Sequence, residues 1–300
     1  MSGDTDIARY FEFAKNLTLQ AGKILKCDLL EDNTVKKLNL RNYTELVTDV
    51  DHRVENLFID SLSKEFPDHK IIAEKTTKDE QTPELTDAPT WFIDPIDGNN
   101  ESGTTNFVDT FFTSCISVGL TVRKEPVLGI VFNPSHSELY SATRGKGAFL
   151  NGKPIRTSNV TELKKAMITV EPLCPKCSTT PRDIVIGRSE ALTINTQATR
   201  SPGSAALCMA YVARGKLDCF YLHGLRSWDT MAGTVILRET GGSVIDMKGG
   251  AFNIMKPNPI AASCETLARE VHKLLVDTDL KTQRKRLKRT CNAKQKKTHE

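Results

Sequence analysis

No stretch of this 300-residue chain stays apolar over the roughly 18 to 20 positions that a membrane-spanning helix needs, so a helical membrane protein is excluded. Nor is an export leader expected, since the opening MSGDTDIARYFEF is acidic where a leader is basic and has no apolar core. A cytoplasmic location is therefore the expectation. Cysteine is spread thinly at positions 27, 115, 174, 177, 208, 219, 264 and 291, a pattern of free thiols and not of a stapled scaffold. Cys174-Pro-Lys-Cys177 is the one tight pair, and without a second pair or a Cys/His partner at matching spacing it does not read as a zinc or redox centre. There is no internal repeat. Gly145-Lys146-Gly147 is not followed by a helical pattern, which removes a nucleotide-binding reading and leaves a hairpin turning at Asn151-Gly152.

Charge is unevenly placed. The net +4 conceals a tail, Lys281 to Glu300, that carries +8, so the rest of the chain sums to −4. A block of like charge with so little apolar content is expected to be disordered. Residues 1–278 are expected to form the folded domain and 279–300 this tail, through which nuclear import, nucleic acid or an anionic surface could be engaged.

Periodicity supplies the elements. Ile7, Phe11, Ala14, Leu17, Ala21 and Leu25 recur at helical spacing, with Asp4 or Thr5 as the expected N-cap. Residues 32–44 read as a polar loop or hairpin, and Leu46 to Phe66 as a second helix with Asp49 or Asp51 near its start, where a carboxylate would meet free backbone amides. Ile71 to Ala73 is a short strand ending at Glu74. Residues 114–122, 126–133 and 138–143 have strand composition, and the second half alternates strands with helices over 204–213 and 228–239. The fold class is α/β, layered in the α+β manner.

The chain is organised around TWFIDPIDGNNESGTTNFV, residues 90–108. Trp91-Phe92-Ile93 reads as a buried strand that delivers Asp94 and Asp97 on either side of Pro95, whose fixed φ restrains both carboxylates. Asp-Pro and Asp-Gly are also ordinary turn pairs. Carboxylates leaving a strand together suit a hard cation such as Mg²⁺, which takes a few carboxylate oxygens and completes its shell with water and phosphate.

Thr48-Asp49-Val50-Asp51, Ile72-Ala73-Glu74, DPIDG with GTTNFV, and Trp228-Asp229-Thr230-Met231-Ala232-Gly233, four motifs in the family's order along the chain, together resemble the inositol monophosphatase family. The resemblance spans roughly residues 5–275 and implies an α-β-α-β-α sandwich, a homodimer, sensitivity to lithium and a Mg²⁺-dependent phosphatase for a small phosphorylated polyol or sugar. It implies that Glu74, Asp94, the Ile96 carbonyl, Asp97 and Asp229 hold the metals, and that Glu74, Asp51 and Thr104 orient the attacking water. Asp97, Gly98, Gly103, Thr104, Thr105, Gly203, Ser204, Ala205 and Asp229 would meet the substrate. A lysine from the loop before Thr48 would assist one metal, Lys36 and Lys37 being equal candidates.

Three departures from the family pattern bear on activity. Asn99-Asn100-Glu101-Ser102-Gly103 interrupts the DPIDG and TTNFV segments, so that either Gly98 or Gly103-Thr104-Thr105 keeps the family's place. Lys75 stands where a second glutamate is usual, and Leu222 where inositol-specific members carry a glutamate seven residues before the Trp-Asp aspartate. The expected reaction is hydrolysis of a phosphate monoester, inositol monophosphate foremost. The alternatives are a relative acting on a nucleotide 3′-phosphate or a bisphosphate, and a paralogue that has kept the fold for binding or regulation.

Overall fold

The computed structural model describes residues 2–30, 43–77, 83–98, 113–171 and 180–297, with side chains placed over 6–27, 49–77, 83–98, 113–171 and 180–287. The apolar spacing of residues 7–25 folds as helix α1 (Ser2–Leu30), which begins ahead of the cap expected at Asp4 or Thr5. Helix α2 (Tyr43–Glu65) also starts early, so Asp49 and Asp51 lie inside it and neither sits at its N-terminus. The helix begins early enough to bury Asp51 beside Val54 and Phe58 on the face turned to the core. Lys36 and Lys37 fall outside the described residues.

Seven strands then form one sheet in chain order. They are β1 (Lys70–Ala73), β2 (Thr90–Asp97), β3 (Cys115–Val122), β4 (Glu125–Asn133), β5 (Glu138–Thr143), β6 (Ala148–Leu150) and β7 (Lys153–Pro154). The pair β1 and β2 is parallel and the others are antiparallel. Asn151 (φ 50°) and Gly152 (φ 77°) supply the left-handed pair that a two-residue hairpin between β6 and β7 requires.

The second half builds a five-stranded sheet from β8 (Met167–Thr169), β9 (Ala198–Arg200), β10 (Cys219–Tyr221), β11 (Ser243–Asp246) and β12 (Pro259–Ala262), in the order β11-β12-β10-β8-β9. Its helices are α3 (Arg182–Asn195), α4 (Ala205–Ala213), α5 (Ser227–Glu239) and α6 (Glu265–Lys297).

Side-chain alternation along the strands assembles the layers. Trp91 and Ile93 pack with Leu17, Ala21, Val54 and Phe58 of α1 and α2. Phe92, pointing the other way, meets Trp228 and Met231 of α5. Phe220 joins α4 and α5 in the cluster between the sheets, whereas Cys219 and Tyr221 face Leu192 of α3 and Leu267, Val271 and Leu275 of α6. The result is the expected α-β-α-β-α sandwich.

The placement of α5 in the middle layer depends on glycine. A Cβ on Gly129 of β4 would lie 2.3 Å from the backbone oxygen of Ala232, so only a bare Cα lets the helix come this close. The far end of α5 closes with a Schellman arrangement: the Gly242 amide donates to Leu237 (3.0 Å) and the Gly241 amide to Arg238 (3.1 Å), with Gly241 at φ 84°.

The basic tail continues the last helix of the fold. Helix α6 runs on through it to Lys297. Lys, Arg, Gln and Leu are good helix formers, so composition that cannot build a core can still extend an anchored helix. Arg188 of α3 grips Asp279 through Nε (2.8 Å) and Nη2 (2.6 Å), and Arg286 reaches Asp183 at 3.0 Å, tying the start of this extension to α3.

Candidate active site

The eight residues of β2 are all buried, carboxylates included. The strand continues through Asp97 and does not end at Ile93. Its pairing with β3 shifts between Asp94↔Ser117 and Asp97↔Cys115. Pro95 lies in this irregularity, where its missing N–H costs no ladder bond. Asp94 Oδ1 accepts the amide of Ile96 at 3.1 Å, which fixes one of its oxygens, and Gly98 leaves the strand at φ 100°.

Two helix N-termini converge on this strand end. Ser204 is the N-cap of α4, its hydroxyl accepting the Leu207 amide at 3.2 Å, and Gly203 precedes it at φ 78°. Asp97 Oδ2 accepts the Ser204 hydroxyl at 2.6 Å and the Ala206 amide at 2.7 Å, so Asp97 caps the same helix from the strand. Asp229, in the first turn of α5, accepts the Arg226 amide at 2.7 Å. Each of these two carboxylates thus gives one oxygen to a helix start.

The third wall comes from α2 and the turn after β1. Asp51 and Glu55, one helical turn apart, are fully buried. Glu55 Oε2 accepts the Lys75 amide at 2.7 Å. The Lys75 ammonium lies 3.0 Å from Glu74 Oε1 and 3.5 Å from Asp51 Oδ2. Glu74 Oε2 is buried without a hydrogen-bond partner among the described residues.

The electrostatics follow from burial. Asp94 is pushed well above the usual carboxylate range by loss of solvent and then by the charges of Glu74, Asp97 and Asp229. Burial likewise raises Asp229, with Asp97 adding to it. Asp97 rises to about 6, burial outweighing the hydrogen bonds from Ser204 and Ala206. Asp51 rises to about 7 through burial despite the Lys75 charge. Burial alone would lower the lysine, but Glu74 and Asp51 outweigh it and hold Lys75 above its usual value.

Six carboxylates and one ammonium share this region, and the excess of negative charge adds to the burial that raises Asp51, Asp94, Asp97 and Asp229. As the side chains stand, no three Asp, Glu, His or Cys residues among the described ones close on a common point as a finished cation cage. The donor set nevertheless fits a hard divalent cation: its atoms are carboxylate oxygens, Glu74 Oε2 awaits a partner, and neutralisation would relieve the mutual repulsion.

Of the residues named from sequence, the fold therefore brings together Asp51, Glu74, Asp94, Asp97 and Asp229, with Ile96 and Gly98 on the same strand end and Gly203, Ser204 and Ala205 across from it. Gly103, Thr104 and Thr105 lie outside the described residues, as does the 99–103 interruption. Glu55 was not legible as part of the site, although its i+4 spacing from Asp51 was the available signal. Glu171 was missed too, and it braces the approach to α4 by accepting the Ser201 hydroxyl (3.0 Å) and the Gly203 amide (3.1 Å). Leu222 packs against the cluster between the sheets.

Comparison with known proteins gives one answer. The family model described as the inositol monophosphatase family matches residues 6–280. Inositol monophosphatase 2 of Mus musculus is 39% identical over 259 residues, covering 86% of this chain and 87% of the relative. The inositol monophosphatase structure from Anabaena (Nostoc) sp. superimposes with a TM-score of 0.74 at 27% identity, covering 91% of this chain and 97% of that one. Inositol monophosphate-bound SaIMPase-II does so with a TM-score of 0.73 at 27% identity, over 91% of this chain and 98% of that one.

Proposed function

The chain belongs to the inositol monophosphatase family, and from that premise we propose that it is a Mg²⁺-dependent phosphoric monoester hydrolase whose substrate is an inositol monophosphate or a closely related polyol phosphate. One observation carries the reading: the carboxylates of Glu74, Asp94, Asp97 and Asp229 are gathered from the turn after β1, from β2 and from α5 into one set that is electrostatically unfavourable by itself. Such a set is hard to explain as a device for stability, because uncompensated buried charge costs several kcal/mol per group, on the order of 3–5. Similarity to a protein whose structure carries inositol monophosphate supports the substrate.

Glu74, Asp94, Asp97, Asp229 and the carbonyl of Ile96 would hold Mg²⁺, which supplies charge neutralisation for the phosphoryl oxygens and a Lewis acid for the attacking water and leaving oxygen. The remaining work falls to the chain. Water adds to phosphorus as the P–O bond to the alkoxide breaks, so one proton must leave the water and one must reach the alcohol product. Asp51, raised to about 7, and the neighbouring Glu74 would accept the first. The N-termini of α4 and α5 turn their dipoles toward the strand end, which favours an incoming anion. Gly203, Ser204 and Ala205 would meet the polyol ring, their loop braced by Glu171.

Phosphate release from myo-inositol 1-phosphate, with Mg²⁺ raised from none to excess, tests this, beside a chain lacking residues 99–103. The expected result is release that needs the metal. A second reading, a family member that binds but does not turn over, is favoured by the Lys75 pairing with Glu74 and Asp51 and by apolar Leu222. Folded protein that binds Mg²⁺ yet releases nothing from inositol, sugar or nucleoside 3′-phosphates would establish that reading and end the first.

A further inference from the structure

We infer that Lys75 is a resident cation of the candidate site: its ammonium pairs Glu74 and Asp51 in the metal-free protein and competes with a divalent ion for Glu74. The inference rests on the reading of Glu74 as part of a divalent-cation site. The geometry shows a built position and not a surface ion pair. Lys75 is held at both ends, by the amide donated to buried Glu55 Oε2 at 2.7 Å and by the ammonium at 3.0 Å from Glu74 Oε1 and 3.5 Å from Asp51 Oδ2. Its side chain is 20% exposed, Glu74's 25% and Asp51's 0%. A flexible four-carbon stem would keep its head in water unless the partners outweighed hydration.

The consequence is a trade. A buried carboxylate pair stripped of its cation is strongly destabilising, so the lysine keeps this wall of the site folded before any metal arrives. Once a divalent ion approaches Glu74 the ammonium becomes a like charge a few ångströms away, and it must swing aside or weaken the ion's binding. Glu74 Oε2, buried and without a hydrogen-bond partner among the described residues, is the atom left over for that ion.

Full-length protein stripped of metal by chelation, with wild type, Lys75→Gln, Lys75→Arg and the double variant Asp51→Asn/Lys75→Gln, provides the test. Mn²⁺ binding is followed by calorimetry and melting is followed without metal. Lys75→Gln should bind Mn²⁺ about tenfold more tightly or better and melt several degrees lower without it. Lys75→Arg should behave as wild type in both, and the double variant should recover melting. If Lys75→Gln does not fold without metal, its folding on addition of Mn²⁺ supports the inference, and failure of the double variant to recover overturns it. Mn²⁺ affinity in Lys75→Gln equal to or below that of wild type overturns the inference alone. Wild type that binds no Mn²⁺ ends the cation-site reading and this inference with it.

Discussion

The two ends of β2 are buried to the same degree and obey opposite energetics. At the start of the strand Trp91 is fully buried, its indole N–H donates to His69 Nδ1 at 3.1 Å, and Phe66 and Tyr10 pack around it with ring centroids 6.1 and 6.4 Å away. Every group there has its partner inside the protein. At the far end Asp94 and Asp97 are as deeply placed, yet burial and mutual charge push both away from their ordinary ionisation. Burial is thus no measure of stabilisation. The aromatic end contributes stability by itself, and the acidic end holds a demand for positive charge that the protein meets only in part, with Lys75.

The contrast is broken most sharply at Asp94. Asp94→Asn keeps an Oδ1 acceptor for the Ile96 amide while deleting a charge from the crowded set. Phosphate release should fall by about 100- to 1,000-fold, whereas metal-free melting should rise by a few degrees. Parallel assays of turnover and melting decide it. A variant that loses both activity and stability would mean the carboxylate was holding the fold together.

The ends should also answer pH with opposite sign. Asp51 and Asp97, raised from 3.8 to about 7 and about 6, bind protons in the folded state that the unfolded chain has released. Their contribution is complete below about pH 4 and is lost as pH rises through 6 to 7. His69 is lowered from 6.5, chiefly by burial, so its contribution is present above that pH and lost on acidification. Melting of chelated protein should therefore decline from pH 4 to 7, more steeply in His69→Gln, and Mg²⁺ should flatten the decline. A decline that Mg²⁺ leaves untouched would separate these acids from any cation.

The sequence made the acidic end easier to find than to understand. Two carboxylates around a proline after a three-residue apolar run were visible from local chemistry, and so were the strands and the hairpin at Asn151-Gly152, because alternation and turn residues act over a few positions. Asp49 or Asp51 was expected near a helix start because a local pattern cannot see that α2 begins at Tyr43. The pairing of Lys75 with Asp51, and the bracing of its amide by Glu55, join residues 20 or more positions apart and depend on how α2 lies against the turn after β1. The tail teaches a different point: low apolar content argues against a core, but α6 gains its first turns from the core and carries the charged segment as an extension.

The smallest expected effect on the site is also the strictest test of the comparison. Trp91→Phe removes the indole donor and part of the ring from a fully buried position, and should cost about 1–3 kcal/mol in urea unfolding. Affinity for Mn²⁺ should nevertheless stay within about twofold of wild type, well under the tenfold that corresponds to roughly 1.4 kcal/mol. The reason lies in the pleat: Trp91 and Ile93 address α1 and α2, Phe92 addresses α5, and three residues of strand separate Trp91 from Asp94 by about 10 Å. A repacked aromatic end can relax against its helices without moving the turn at Pro95, because β3 holds both Trp91 and Asp94 in register independently. If Mn²⁺ affinity fell in step with stability, the two ends would be one mechanical unit, and the cost of gathering the acids would have to be sought in the strain of the whole strand.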